Sequence, residues 1–110
     1  TLSLHDALPI LADAQAVVDA GVYSLVLESI PAGLARRITE AVPVPTIGIG
    51  ASAACDGQVL VLHDLLGLDD GFQPRFLKKY EHLSVRVRDA LSTYAREVRE
   101  GAFPDDAHSF

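Results

Sequence analysis

The sequence predicts an α/β fold in which short parallel strands alternate with helices. Three observations lead there. Helical periodicity and short apolar runs take turns along the chain as far as Leu62. The first of these runs, Tyr23 to Leu27, is apolar on both faces, which is the pattern of a strand buried in a parallel sheet. Glycine and proline stand at the junctions between the two kinds of segment. Strand–helix–strand units of this kind are right-handed and build a sheet that needs cover on both faces. A closed (β/α)8 barrel takes about 250 residues. A chain of 110 residues with three candidate strands therefore reads as a section of such a barrel, not as a complete domain.

Thr1–Ile10 reads TLSLHDALPI, which is also the translation of a common sequencing-adapter oligonucleotide. We expect residues 1–10 to be non-native and leave them outside the fold prediction. The plainer alternative is an ordinary N-terminal segment with an L-x-L-x-x-A-L pattern. Leu11 to Ala20 predicts a helix with Ala14, Val17 and Val18 on one face, stopped by Gly21. Tyr23 to Leu27 predicts the first strand. Pro31 suits a first helical turn, and Leu34, Ala35, Ile38 and Ala41 follow at helical spacing. Pro43 and Pro45 end that helix and lead into a second strand, Thr46 to Ile49. Asp56-Gly57 predicts a turn and Gln58 to Leu62 a third strand.

Beyond Gly71 the pattern changes. Pro74 to Tyr80 predicts a short basic helix carrying Arg75, Lys78 and Lys79. Leu83, Val87, Leu91, Tyr94 and Val98 recur at steps of three and four, which predicts an amphipathic helix over about Ser84 to Glu100, closed by Gly101. The tail from Ala102 to Phe110 is mostly polar and is expected at the surface.

Bulk properties exclude several function classes. A net charge of −6 disfavours nucleic acid and anionic membrane as partners. No apolar run approaches the roughly 20 residues that span a bilayer, and no signal peptide is expected. One cysteine, Cys55, rules out an internal disulfide and fits a reducing cytoplasm.

Glu28 is the most informative candidate. It follows an apolar strand at its C-terminal end, where parallel α/β folds bind ligands. A carboxylate partly desolvated there suits a proton acceptor. The plainer reading is an acidic residue favoured near a helix start. Gly48-Ile49-Gly50 fits either an anion-binding loop or a tight strand exit. His63-Asp64 fits a proton-transfer pair, a metal-ligand pair or a structural hydrogen-bonded pair, and no second His or Cys stands at zinc-ligand spacing. Cys55 reads as inert. Asp69-Asp70-Gly71 reads as a solvated turn, and Arg36-Arg37 and Lys78-Lys79 as solvated helix faces.

Four segments in order carry a resemblance: LVLESIP (Leu25 to Pro31), LARRITEAVPVPTIGIGA (Leu34 to Ala51), CDGQVLVLHDLLGL (Cys55 to Leu68) and GAFPDDAHSF (Gly101 to Phe110). Together they resemble the ketopantoate hydroxymethyltransferase family over nearly all of residues 11–110. The resemblance implies the C-terminal portion of a single (β/α)8 barrel domain, about its last three βα units, followed by C-terminal helices. It implies a transferase that moves a hydroxymethyl group from 5,10-methylenetetrahydrofolate to 3-methyl-2-oxobutanoate, giving 2-dehydropantoate on the route to pantothenate. Glu28 matches the family's proton acceptor, and Ile49, Val59 and Val61 match positions lining its substrate pocket. The family's Mg2+ ligands, with the serine and lysine that bind the keto acid, belong to its N-terminal half, so no metal ligand is expected in this chain. Large homo-oligomers are implied for the complete protein, and this chain is expected to be inactive alone. Two other readings compete: a keto-acid enolate enzyme of the phosphoenolpyruvate mutase or lyase type, and a non-catalytic interaction module using the helix from Ser84 to Glu100.

Overall fold

The computed structural model describes residues 3–69, 71 and 73–110, with Leu4 described in its backbone only. Thr1 and Leu2 of the decapeptide, and Asp70 of the expected acidic turn, therefore lie outside the described residues. The elements run α1 (Leu4–Asp19), β1 (Leu25–Glu28), α2 (Ala32–Ala41), β2 (Thr46–Ile49), β3 (Gly57–Gln58), α3 (Leu62–Leu65) and α4 (Leu83–Glu100), then a 3-10 turn at Asp106–His108. The chain divides into two compact units: Thr1–Val61 with Pro74–Leu77, and Leu62–Gln73 with Lys78–Phe110. No helix of the described residues is long and apolar enough to cross a membrane.

The first unit holds a parallel sheet in the order β1-β2-β3. Its core forms where Leu27 of β1 meets Leu34, Ala35 and Ile38 of α2 and Ala7 and Ala14 of α1. The small alanines let α1 lie close against the sheet. α1 begins earlier than the predicted Leu11, because the Ser3 hydroxyl accepts from the Asp6 N–H at 3.2 Å and caps it. Its inward face is Ala7, Ile10, Leu11, Ala14 and Val18; Val17, predicted inward, is 40% exposed. Gly21 takes a positive φ of 99° just past the helix end, as the sequence predicted. α2 keeps its expected buried positions except Ala41, which is exposed, and Pro31 caps it from outside the first turn.

β1 is shorter than predicted. Tyr23 stands before it and is 90% exposed, and Val26 is 58% exposed. The run is apolar on both faces, but only one face has helices over it in the described residues. β2 occupies the predicted span. β3 is only two residues long, and Leu62 instead starts α3. The Val59 N–H still reaches the Gly48 carbonyl at 3.0 Å, so extended pairing continues one residue past the strand.

One polar cluster ties this sheet at its N-terminal end. Thr46 is fully buried. Its N–H donates to the Asp56 carboxylate at 2.8 Å, and the Asp56 N–H returns to the Thr46 hydroxyl at 3.3 Å. The Thr39 hydroxyl, in α2, lies 2.8 Å from both the Ala35 carbonyl and the Thr46 hydroxyl. The Thr46 hydroxyl also lies 3.4 Å from the Asp56 carboxylate, so the two hydroxyls and the carboxylate form one continuous network. Asp56 is thus an anchor between the starts of β2 and β3, and the expected Asp56-Gly57 turn has Gly57 already paired with Ile47.

In the second unit the predicted amphipathic helix forms as α4, and Gly101 closes it at φ 74°. The Glu81 carboxylate accepts from the His82 N–H at the helix start, which holds it below its usual range. The stripe is mostly bare: Val87, Leu91, Tyr94 and Val98 are all exposed, with Tyr94 edge-on to Phe103. Lys78 and Lys79 lie on no helix; the Lys79 ammonium donates to the Asp69 carbonyl and Lys78 sits over the Tyr80 ring. The Gly71 N–H donates to the Asp69 carboxylate at 2.8 Å, which closes that turn.

Replacing Asp56 with alanine leaves the Thr46 N–H without its acceptor. The expected cost is about 1–3 kcal/mol, read as a lowered urea midpoint of the complete protein that carries this chain. An unchanged midpoint overturns the anchoring role.

Candidate functional site

Alternation along β1 decides which side chains can do chemistry. Leu27 is 5% exposed and enters the helix-covered layer, so Val26 and Glu28 emerge on the opposite face. Register carries the same face across the sheet. Val26 pairs with Ile47 and Glu28 with Ile49, and Ile47 pairs with Gly57. Glu28 and Ile49 therefore share one open face of the first unit, while Val59 and Val61, singled out with them in the sequence, follow β3 as exposed residues outside any strand.

The Glu28 carboxylate has no hydrogen-bond or ion-pair partner among the described residues, and its side chain is exposed. The expected partial desolvation is absent, because no described element of this unit covers that face. Val59 is 48% and Val61 52% exposed for the same reason. The arrangement is a carboxylate at the C-terminal end of a parallel strand, beside an apolar wall. It can accept a proton from a carbon acid held against that wall, provided something else closes the site from water.

Backbone shape at the strand ends is unusual. Ser29 follows Glu28 with a positive φ of 53° and donates its N–H to the Ile49 carbonyl at 2.9 Å. Gly48 has the Cys55 sulfur and the Gln58 amide packed on it, about 3 Å from where a Cβ would stand. Gly50 takes a φ of +64°, and a Cβ there would lie 2.9 Å from Phe76. The Gly48-Ile49-Gly50 run is thus a tight strand exit built for close packing on both faces. Cys55 is buried against it.

Phe76 brings its neighbour Arg75 to the strand ends. Together with Ser29, Ile30, Pro31 and Gly50 they line an open cleft of about 550 Å³. Sequence reasoning missed this pair by placing it on a basic helix. In the structure Pro74 starts a single turn, with the Leu77 N–H on the Pro74 carbonyl at 3.0 Å and Leu77 buried. The available signal was the buried Leu77 beside Phe76, an apolar pair that a solvated helix does not need.

His63 and Asp64 lie on α3 in the second unit. No hydrogen bond joins their side chains, so neither the proton-transfer pair nor the structural pair forms. Consecutive residues on a helix point about 100° apart, which separates the two groups. Among the described residues no group of three or more His, Cys, Asp or Glu could hold a metal ion.

The sequence profile of the family described as ketopantoate hydroxymethyltransferase matches residues 3–106. Three similar proteins are each named 3-methyl-2-oxobutanoate hydroxymethyltransferase. That of Moorella thermoacetica is 63% identical over 92% of this chain and 38% of its own length. That of Anaeromyxobacter sp. strain K is 59% identical over 92% of this chain and 33% of its own. That of Syntrophobacter fumaroxidans is 54% identical over 92% of this chain and 36% of its own. The chain thus spans little more than a third of the length of the relatives it matches.

Gly50→Ala combines a left-handed backbone with a Cβ driven into Phe76. A destabilisation of at least about 1–2 kcal/mol follows from the backbone alone. Urea unfolding of the complete protein measures it, and a loss well under that range overturns the left-handed backbone at Gly50.

Proposed function

The chain belongs to the ketopantoate hydroxymethyltransferase family, and from that premise we propose that it supplies the proton-abstracting side of a 3-methyl-2-oxobutanoate hydroxymethyltransferase site. The observation that carries the reading is Glu28 at the C-terminal end of β1, paired with Ile49 on the open face of the sheet. Glu28 takes a proton from C3 of 3-methyl-2-oxobutanoate and leaves an enolate. Water opens the methylene bridge of 5,10-methylenetetrahydrofolate: both C–N bonds break, tetrahydrofolate departs with both nitrogens protonated, and the one-carbon unit is left at the formaldehyde level. C3 then bonds to that carbon, and the proton held by Glu28 passes to its oxygen, which becomes the hydroxyl. The product is 2-dehydropantoate. The branched apolar end of the keto acid packs on the wall of Ile49, Val59 and Val61, which turns C3 toward the carboxylate.

The family resemblance also implies Mg2+, a hard cation that supplies Lewis-acid stabilisation to an enolate when bound. The described residues of this chain do not fit that ion. Glu28 stands without a second acidic or histidine ligand in a cluster, and a site of one carboxylate falls short of the oxygen shell such a cation takes. We therefore assign the metal ligands, and the groups that grip the keto-acid carboxylate, to the part of the relatives' length beyond this chain. A complete (β/α)8 barrel, homo-oligomeric assembly and a cytoplasmic setting belong to the same proposal for the whole protein. The adapter reading of Thr1–Ile10 stands beside it: genomic sequence upstream of Leu11 that differs from the decapeptide supports it, and the same decapeptide in the genome overturns it.

In the complete protein, Glu28→Gln is expected to lower kcat by a factor of about 10²–10⁴. It should also abolish deuterium exchange at C3 of the keto acid, followed by proton NMR. Wild-type exchange in the variant removes Glu28 from the role of base. The 110-residue chain by itself is expected to release no tetrahydrofolate from 5,10-methylenetetrahydrofolate and keto acid; measurable turnover would show that the site is complete within it.

A further inference from the structure

We propose that the cleft at the C-terminal ends of β1 and β2 receives the p-aminobenzoyl-glutamate part of the folate co-substrate, with Arg75 binding its carboxylate. The inference rests on the function proposed above and deepens it. The cleft begins at Ser29, the residue after Glu28, and opens to about 550 Å³, within the range of small-molecule sites. Its walls are mixed in a specific way. Ile30, Pro31 and Phe76 present apolar surface, and Arg75 is the one charged residue lining it. The guanidinium makes no hydrogen bond or ion pair with a described residue, although the chain carries 15 acids against 9 bases. An arginine left unpaired in an acidic chain keeps its planar donor fork for a carboxylate from outside.

The position of Arg75 is fixed from both sides. Phe76 packs on Gly50, and Leu77, 6% exposed, closes the turn onto Pro74. The backbone of Arg75 is therefore fixed near the strand ends, and its exposed side chain lines the cleft there. Of the two substrates, only the folate joins an aromatic ring to a glutamate. Its transferable carbon bridges two nitrogens, one of which is bonded to the p-aminobenzoyl ring, so that ring must lie close to the reacting C3. A cleft that includes the residue after Glu28 and combines apolar surface with a cation offers partners for both groups the folate presents, an aromatic ring and a carboxylate.

The test uses the complete protein and two probes, tetrahydrofolate and tetrahydropteroate, which lacks the glutamate. Calorimetry under reducing conditions reads their binding to wild type, Arg75→Gln and Arg75→Lys. A charged hydrogen bond of about 1.5–3 kcal/mol predicts a loss of roughly 10- to 100-fold in tetrahydrofolate affinity for Arg75→Gln. Tetrahydropteroate affinity should not change, and Arg75→Lys should keep part of the tetrahydrofolate affinity. Equal tetrahydrofolate affinity in wild type and Arg75→Gln overturns the inference. So does an equal loss of both probes, which marks a structural role, and so does failure of wild type to bind tetrahydrofolate. Deuterium exchange at C3 in wild type reads the proposed function separately: its absence, with Arg75-dependent tetrahydrofolate binding intact, sinks the base assignment and leaves this site standing.

Discussion

The period-two alternation of β1 is the constraint from which the site follows. Leu27 must enter the layer under α1 and α2, since that is where the buried apolar surface of the first unit lies. Once Leu27 points inward, Val26 and Glu28 have no choice of side. A slip of one residue would bury a carboxylate and expose a leucine, and burying an unpaired charge costs far more than any other change in this sheet. The chemistry-bearing face is therefore specified by the packing of the other face. Glu28 needs no hydrogen bond of its own to be in place.

That constraint works only while the strands keep their register, and the Thr46–Asp56 cluster secures it. The starts of β2 and β3 are joined through a side chain because β3 has too few residues to hold itself by ladder bonds. Thr39 extends the tie to α2. One carboxylate thus links a helix and two strands at the end of the sheet opposite Glu28. The division is the familiar one for parallel α/β units, with stability at the N-terminal ends of the strands and chemistry at the C-terminal ends.

Much of this was legible in the sequence. β2 was bounded by two prolines and two glycines and falls where they put it. α4 ends at the glycine that predicted its end. Glu28 and Ile49 were named from the resemblance, and the period of the strands puts them on one face, whereas Val59 and Val61 fall past the end of β3. What escaped prediction has physical causes. The apolar run of β1 was read as buried on both faces, but a run says only that both faces tolerate burial. The covering layer is a property of other residues, and the described chain covers one side. β3 was drawn too long because Val59 to Leu62 has strand composition, while the helical turn of α3 claims Leu62. The Arg75–Leu77 turn was lost because charge at helical spacing outweighed one proline. The contact that decides its conformation, Phe76 on Gly50, lies far away in sequence.

Cys55 offers an experimental handle. It is the chain's one sulfur and packs against the glycine at the centre of β2. A thiol in that place meets a labelling reagent only when the loop between β2 and β3 lifts away, so its modification rate is a clock for local opening. Followed with and without bound ligands, that clock would report whether filling the open face of the sheet also quiets the strand behind it. It would do so from a native side chain, with no probe introduced.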